Sequence, residues 1–142
     1  MKNFLIAVGI TLIIYFIWDY IGNYKQVNFV IDGDTFKTSD GKIVRLIGID
    51  APEIGEPCFL EAKEKLKEIV NGKIVRLEKD VKEKDEYGRL LRYVYIDNLF
   101  VNAEMIRLGF AKFEEIKPNI KYSDLFLEEE NKARIAKRCI WG

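Results

Sequence analysis

Val27-Asn28-Phe29-Val30-Ile31-Asp32-Gly33-Asp34-Thr35-Phe36-Lys37-Thr38-Ser39-Asp40-Gly41-Lys42-Ile43-Val44-Arg45-Leu46-Ile47-Gly48-Ile49 is the stretch that decides the fold. Three β-rich runs are separated by Asp32-Gly33 and by Ser39-Asp40-Gly41, both of which are hairpin punctuation. The pattern predicts a three-strand meander: Val27 to Ile31, Thr35 to Thr38, and Lys42 to Ile49. Pro52 ends it. Pro57 then leads into a helix whose Phe59, Ala62, Leu66, Ile69 and Val70 share one face and which exits at Gly72. Lys73 to Glu78 and Leu90 to Ile96 read as a fourth and a fifth strand. Asn102 can cap a short helix through Leu108, and the last helix runs from Tyr122 to about Lys137. Five short strands with a helix between the third and fourth are the order of an OB-type barrel. The expected class is therefore α+β: a five-stranded OB-fold-type β-barrel with three helices, preceded by an N-terminal hydrophobic helix.

Strict alternation along the third strand puts Arg45 and Asp50 on opposite faces, because they are five residues apart. Bringing both to one site requires the chain to bulge or to leave the strand, and Gly48 is the place for it.

The 142 residues suffice for one globular domain, and an apolar content of 49% provides a core. Charged residues make up 32%, yet 23 basic and 23 acidic side chains cancel. Attraction to an anionic partner must therefore come from local clusters such as Arg45, Arg89 and Arg92, not from net charge. There is no histidine, so imidazole acid–base chemistry is excluded.

Phe4 to Trp18 is an uncharged run, preceded by Lys2 and followed by Asp19. Carried to Ile21, it makes a helix of ~27 Å at the usual rise, marginally enough to cross a bilayer with Tyr15, Trp18 and Tyr20 at the interface. A cleaved signal peptide is the competing reading, but the run offers no small-x-small cleavage pattern. The expected division is residues 1–22 as membrane anchor or signal segment and residues 23–142 as the folded domain, joined by a polar linker from Gly22 to Gln26. Lys2 on the short end argues that the N-terminus stays inside and the domain lies outside the cytoplasm. Secretion after cleavage is the alternative. In an exported chain the two cysteines, Cys58 and Cys139, can form one disulfide, and buried free thiols are the other reading.

Three strings carry the chemistry: Asp32-Gly33-Asp34-Thr35-Phe36, Arg45-Leu46-Ile47-Gly48-Ile49-Asp50-Ala51-Pro52-Glu53, and Asp85-Glu86-Tyr87-Gly88-Arg89. Two carboxylates can hold a hard cation, a third can act as base, and two guanidiniums can clamp a phosphate. In this order, and over Val27 to Trp141, the chain resembles the thermonuclease (staphylococcal nuclease) family. The resemblance implies a Ca²⁺-dependent endonuclease that cleaves DNA and RNA with low sequence specificity and leaves 3′-phosphate ends; a monomer is expected. It implies Asp34, Asp50 and the backbone carbonyl of Ala51 as Ca²⁺ ligands, Glu53 as general base, and Arg45 and Arg89 as catalytic arginines. Tyr87 is implied on the substrate side.

Ala51 stands where the best-known member has threonine, a change that leaves a carbonyl ligand intact. The departures lie at the nucleotide's base end. Ala111-Lys112-Phe113-Glu114-Glu115-Ile116-Lys117-Pro118 is one residue shorter than in that member and lacks its two tyrosines, and Glu86 replaces a phosphate-binding lysine. Glu114 and Glu115 add negative charge near an anionic substrate. The rival class is a non-catalytic OB-fold module that binds nucleic acid or protein, and such modules typically lose the metal and arginine positions that are all present here.

Overall fold

A computed structural model describes all residues from Met1 to Gly142. The chain begins with a helix, α1 (Lys2–Gly22), which has no buried residue and a mean hydropathy of 2.1. By length and composition it can cross a membrane. It runs into β1 (Tyr24–Asp32) with only Asn23 between them, and the Asn23 carbonyl accepts the Leu77 N–H at 2.7 Å. The residues expected as a polar linker, Gly22 to Gln26, are instead the end of α1, Asn23 and the first three residues of β1. Tyr24, Lys25 and Gln26 pair with Arg76, Val75 and Ile74, a long-range partnership that local sequence does not announce.

β1 pairs with β2 (Thr35–Thr38), which turns into β3 (Ile43–Leu46). After a short β4 (Ile49–Asp50) and the helix α2 (Phe59–Val70) come β5 (Ile74–Glu78) and β6 (Leu90–Ile96), an antiparallel pair. β6 then lies parallel to β3, with Val44 opposite Leu90 and Leu46 opposite Arg92. That pairing closes the ring β3-β2-β1-β5-β6 into a five-stranded barrel, the expected OB-type architecture. Closure leaves no free edge among these strands. Val27, Phe36, Val44, Leu46, Val75, Leu77 and Val94 fill the interior, and α2 adds Ala62, Leu66 and Val70, all fully or almost fully buried.

Two further helices pack against the barrel: α3 (Val101–Arg107), which follows the short β7 (Leu99–Phe100), and α4 (Ser123–Ile135). Asn102 does not cap α3. It lies inside the helix, fully buried, where Oδ1 accepts the Val94 N–H at 2.8 Å and Nδ2 donates to the Ile47 carbonyl at 2.9 Å. A buried amide must satisfy its own polar atoms, and here it does so by stitching β6 to the end of β3. Cys58 and Cys139 form a disulfide, with Cα atoms 6.1 Å apart, tying the segment after α4 to the start of α2.

Candidate active site

The expected break in the third strand occurs at Ile47 and Gly48. The run read as one strand from Lys42 to Ile49 is β3 followed, after that corner, by the short β4 (Ile49–Asp50), which pairs with β8 (Lys112–Phe113). Gly48 has φ +79°, and a Cβ there would come within 2.5 Å of the Phe126 ring. Glycine is the residue that meets both demands. Because the chain leaves the strand here, Arg45 and Asp50 reach the same cleft.

Arg45 is fixed by its backbone surroundings. Its Nη1 donates to the Leu46 carbonyl at 2.7 Å and to the Ile49 carbonyl at 2.6 Å. Both Nη1 hydrogens are thereby used, and Nη2 faces three carboxylates: Asp34 at 3.4 Å, Glu114 at 3.5 Å and Asp50 at 3.8 Å. Asp34, in the β1–β2 turn, is buried. Its Oδ1 accepts the Thr35 hydroxyl at 2.7 Å, and its Oδ2 accepts the Ala51 N–H at 2.8 Å. This last bond ties the turn to the segment after β4. Asp50 presents its carboxylate largely to solvent.

Too many negative charges surround this one guanidinium. Partial burial and the neighbouring Asp34 raise the Asp50 carboxyl above its ordinary range, although more than half of the side chain is exposed. Burial and Asp50 do the same to Glu114. Asp32, whose Oδ1 accepts the Asp34 N–H at 3.1 Å, is pushed up to about 6 by burial and by Asp34. Such a site is short of positive charge, and its donors are hard oxygens, so the residues fit a divalent cation of the Ca²⁺ or Mg²⁺ type. The donor set is the pair Asp34 and Asp50, since no group of three acidic side chains is placed to hold an ion.

Arg89 comes from the hairpin end before β6. Its Nε donates to Asp85 Oδ2 at 2.6 Å, while Asp85 Oδ1 accepts the backbone N–H groups of Tyr87 and Arg89, each at 3.0 Å. The guanidinium lies 5.5 Å from the centre of the exposed Tyr87 ring. Arg45, Asp50, Asp85, Arg89 and Glu114 line one cavity of about 280 Å³, whose far wall includes Leu91, Ile116 and Lys117. Asn119 closes that wall by exchanging hydrogen bonds with the Lys82 backbone, both at 2.8 Å.

Glu53 is not among the lining residues. It stands exposed on the loop after Ala51, and its backbone N–H donates to Glu56 Oε1 at 2.8 Å. Two contacts escaped the sequence reading. Asp85 orients Arg89, for which the four-residue spacing at a Gly88 turn is a usable signal. Glu114 reaches Arg45 across a sequence gap of 69 residues, for which there is none.

Comparison with known proteins agrees with this arrangement. A family model described as staphylococcal nuclease homologue matches residues 43–142. A thermonuclease of Staphylococcus hyicus is 36% identical over 128 residues, covering 84% of this chain and 75% of that protein. A thermonuclease of Staphylococcus intermedius is 34% identical over 132 residues, 87% of this chain and 79% of its own. The endonuclease YncB of Bacillus subtilis is 38% identical over 123 residues, 79% of this chain and 58% of its own. The closed barrel, the corner at Gly48 and the match over most of the chain make this protein a member of the staphylococcal nuclease family.

Proposed function

We propose that the protein is a Ca²⁺-dependent endonuclease that hydrolyses phosphodiester bonds of DNA and RNA with low sequence specificity and leaves 3′-phosphate ends. The observation that carries this reading is Arg45. Two backbone carbonyls lock it so that one guanidinium edge faces Asp34 and Asp50, in the cavity that Arg89 also lines.

Asp34, Asp50 and the Ala51 carbonyl would hold the ion, which supplies positive charge to the phosphoryl oxygens when bound. Arg45 Nη2 and the Arg89 guanidinium donate to the phosphate and stabilise the charge that grows in the transition state. Arg45 needs no reorganisation to do so, because its other terminal nitrogen is already engaged. Glu53 orients the attacking water and takes its proton, and its exposed position gives that water access from solvent. Tyr87 flanks Arg89 on the substrate side. The α1 helix anchors the chain in a membrane, with residues 23–142 as a monomeric catalytic domain outside the cytoplasm.

The test is cleavage of single-stranded DNA by the full chain in detergent micelles. Activity is expected with Ca²⁺ and should vanish in excess chelator. Asp34→Ala and Asp50→Ala should each abolish Ca²⁺-supported cleavage while the circular dichroism of the barrel persists. Equal cleavage with chelator present would overturn the metal assignment.

A further inference from the structure

β8 delivers one carboxylate that the catalytic scheme leaves without a task. The N–H of Glu114 donates to the Gly48 carbonyl at 2.9 Å, extending the β4–β8 pairing by one residue. The preceding Phe113 N–H donates to Oε1 of the buried Glu130 at 3.0 Å. The backbone is therefore fixed on both sides, and the half-exposed Glu114 side chain stands 3.5 Å from Arg45 Nη2. Since Nη1 is consumed by two carbonyls, Nη2 is the terminal nitrogen left for a phosphate. Asp34 and Asp50 also face Nη2, but as a pair of hard ligands they would turn to a bound cation. Glu114 belongs to no three-residue metal group with them, so it would be left on the guanidinium. It is the anion that an arriving phosphate must meet.

We propose that Glu114 is a specificity-determining residue. It disfavours doubly charged terminal phosphomonoesters relative to singly charged internal phosphodiesters, and so directs the enzyme to internal bonds and hastens release of phosphate-ended products. The physical basis is that repulsion scales with the charge of the phosphate. An internal diester carries one negative charge, a terminal monoester about 1.5 to 2 near neutral pH. The same carboxylate therefore weighs more heavily on the product than on the substrate. The inference rests on Arg45 acting as the phosphate clamp.

The experiment uses the full chain in detergent micelles with Ca²⁺ at about pH 8, where the monoester is fully dianionic. It measures the inhibition constant of a nucleoside 3′-monophosphate and the KM for an oligonucleotide without terminal phosphates. A half-exposed charge contact is worth roughly two- to fivefold in affinity per unit charge. In Glu114→Gln both constants should fall, the inhibition constant by roughly two- to fivefold more than KM. Glu115→Gln removes the same net charge from the neighbouring exposed residue and should move neither. Equal falls in both constants, no fall, or an equal effect of Glu115→Gln would overturn the charge discrimination. Arg45→Ala separates the two readings: it should weaken monophosphate binding. If it does not, the clamp itself fails. If it does while Glu114→Gln is silent, only the discrimination fails.

Discussion

Arg45 and Arg89 are oriented by opposite means, and their variants should differ accordingly. Arg45 is held by two uncharged carbonyls in a nearly buried wall, Arg89 by the Asp85 carboxylate on a loop. A lysine has one point of charge and cannot satisfy two carbonyls while still reaching a phosphate. Arg45→Lys and Arg89→Lys should each lower kcat by roughly 100- to 1,000-fold, the usual cost of losing one preorganised charge-stabilising donor. Asp85→Asn should lower kcat by roughly 10- to 100-fold with little change in KM, because Arg89 is misplaced and not lost. Asp85 also sets a pH dependence. Burial alone would raise its carboxyl, but the hydrogen bonds and charge of Arg89 prevail and hold it below the ordinary range. A depressed folded value contributes stability that is present above the unfolded value near ~4 and is lost as pH falls through the folded one. The difference in urea midpoint between the wild type and Asp85→Asn should thus be constant above about pH 5 and shrink below about pH 4. A difference that grew on acidification would refute the pairing. The candidate residues Asp34, Arg45, Asp50 and Arg89 were legible as a family pattern of carboxylates and arginines at turns and strand ends, and the fold brings Arg45, Asp50 and Arg89 to one cavity. The Asp85 and Glu114 contacts depend on where side chains end up, and Glu53, placed by its position in a motif, sits outside the cavity wall.

At the scale of elements, the meander was legible because alternation and Asp-Gly turns are local signals. Where the reading fell short, tertiary structure had the deciding vote. β1 begins at Tyr24, not Val27, since its first residues pair with β5, about fifty positions later. The last helix ends at Ile135, short of Lys137, which has a φ of +51° that stops helical winding. Asn102 had the look of a cap, yet the interior needed a polar stitch more than the helix needed an end. The β3–β4 corner was foreseeable from Gly48, because the chemistry demanded that Arg45 and Asp50 share a face. It also leaves no room for a side chain. Gly48→Ala adds a side chain in left-handed backbone and pushes it into Phe126, so about 2–4 kcal/mol of stability should be lost. Urea unfolding of the full chain in micelles measures it, and a loss under about 1 kcal/mol would mean that the corner relaxes freely.

Across the whole molecule, one covalent link joins distant parts. The Cys58–Cys139 disulfide spans 81 positions, and closing a loop of that size is worth on the order of 4 kcal/mol in the chain-entropy model. Reductant should lower the urea midpoint by a corresponding amount, and a Cys58→Ser/Cys139→Ser double variant should match the reduced wild type and no longer respond to reductant. The proposed outward orientation predicts that protease added to intact cells attacks the domain, and full protection until lysis would reverse the assignment. The same disulfide decides what such an attack produces. From residue 58 to residue 139 the chain is a closed loop, and α1 is the tail of a lariat. One cut inside the loop opens the ring without dividing the molecule, so both fragments stay bound to the tail until a reductant parts them. A cut between Asn23 and Pro57 is different, because it severs loop from tail. On a denaturing, non-reducing gel, separation of α1 from the loop would therefore report a nick in the first strands of the barrel or in the segment before α2, and a nicked chain that stays in one piece would report a cut inside the loop.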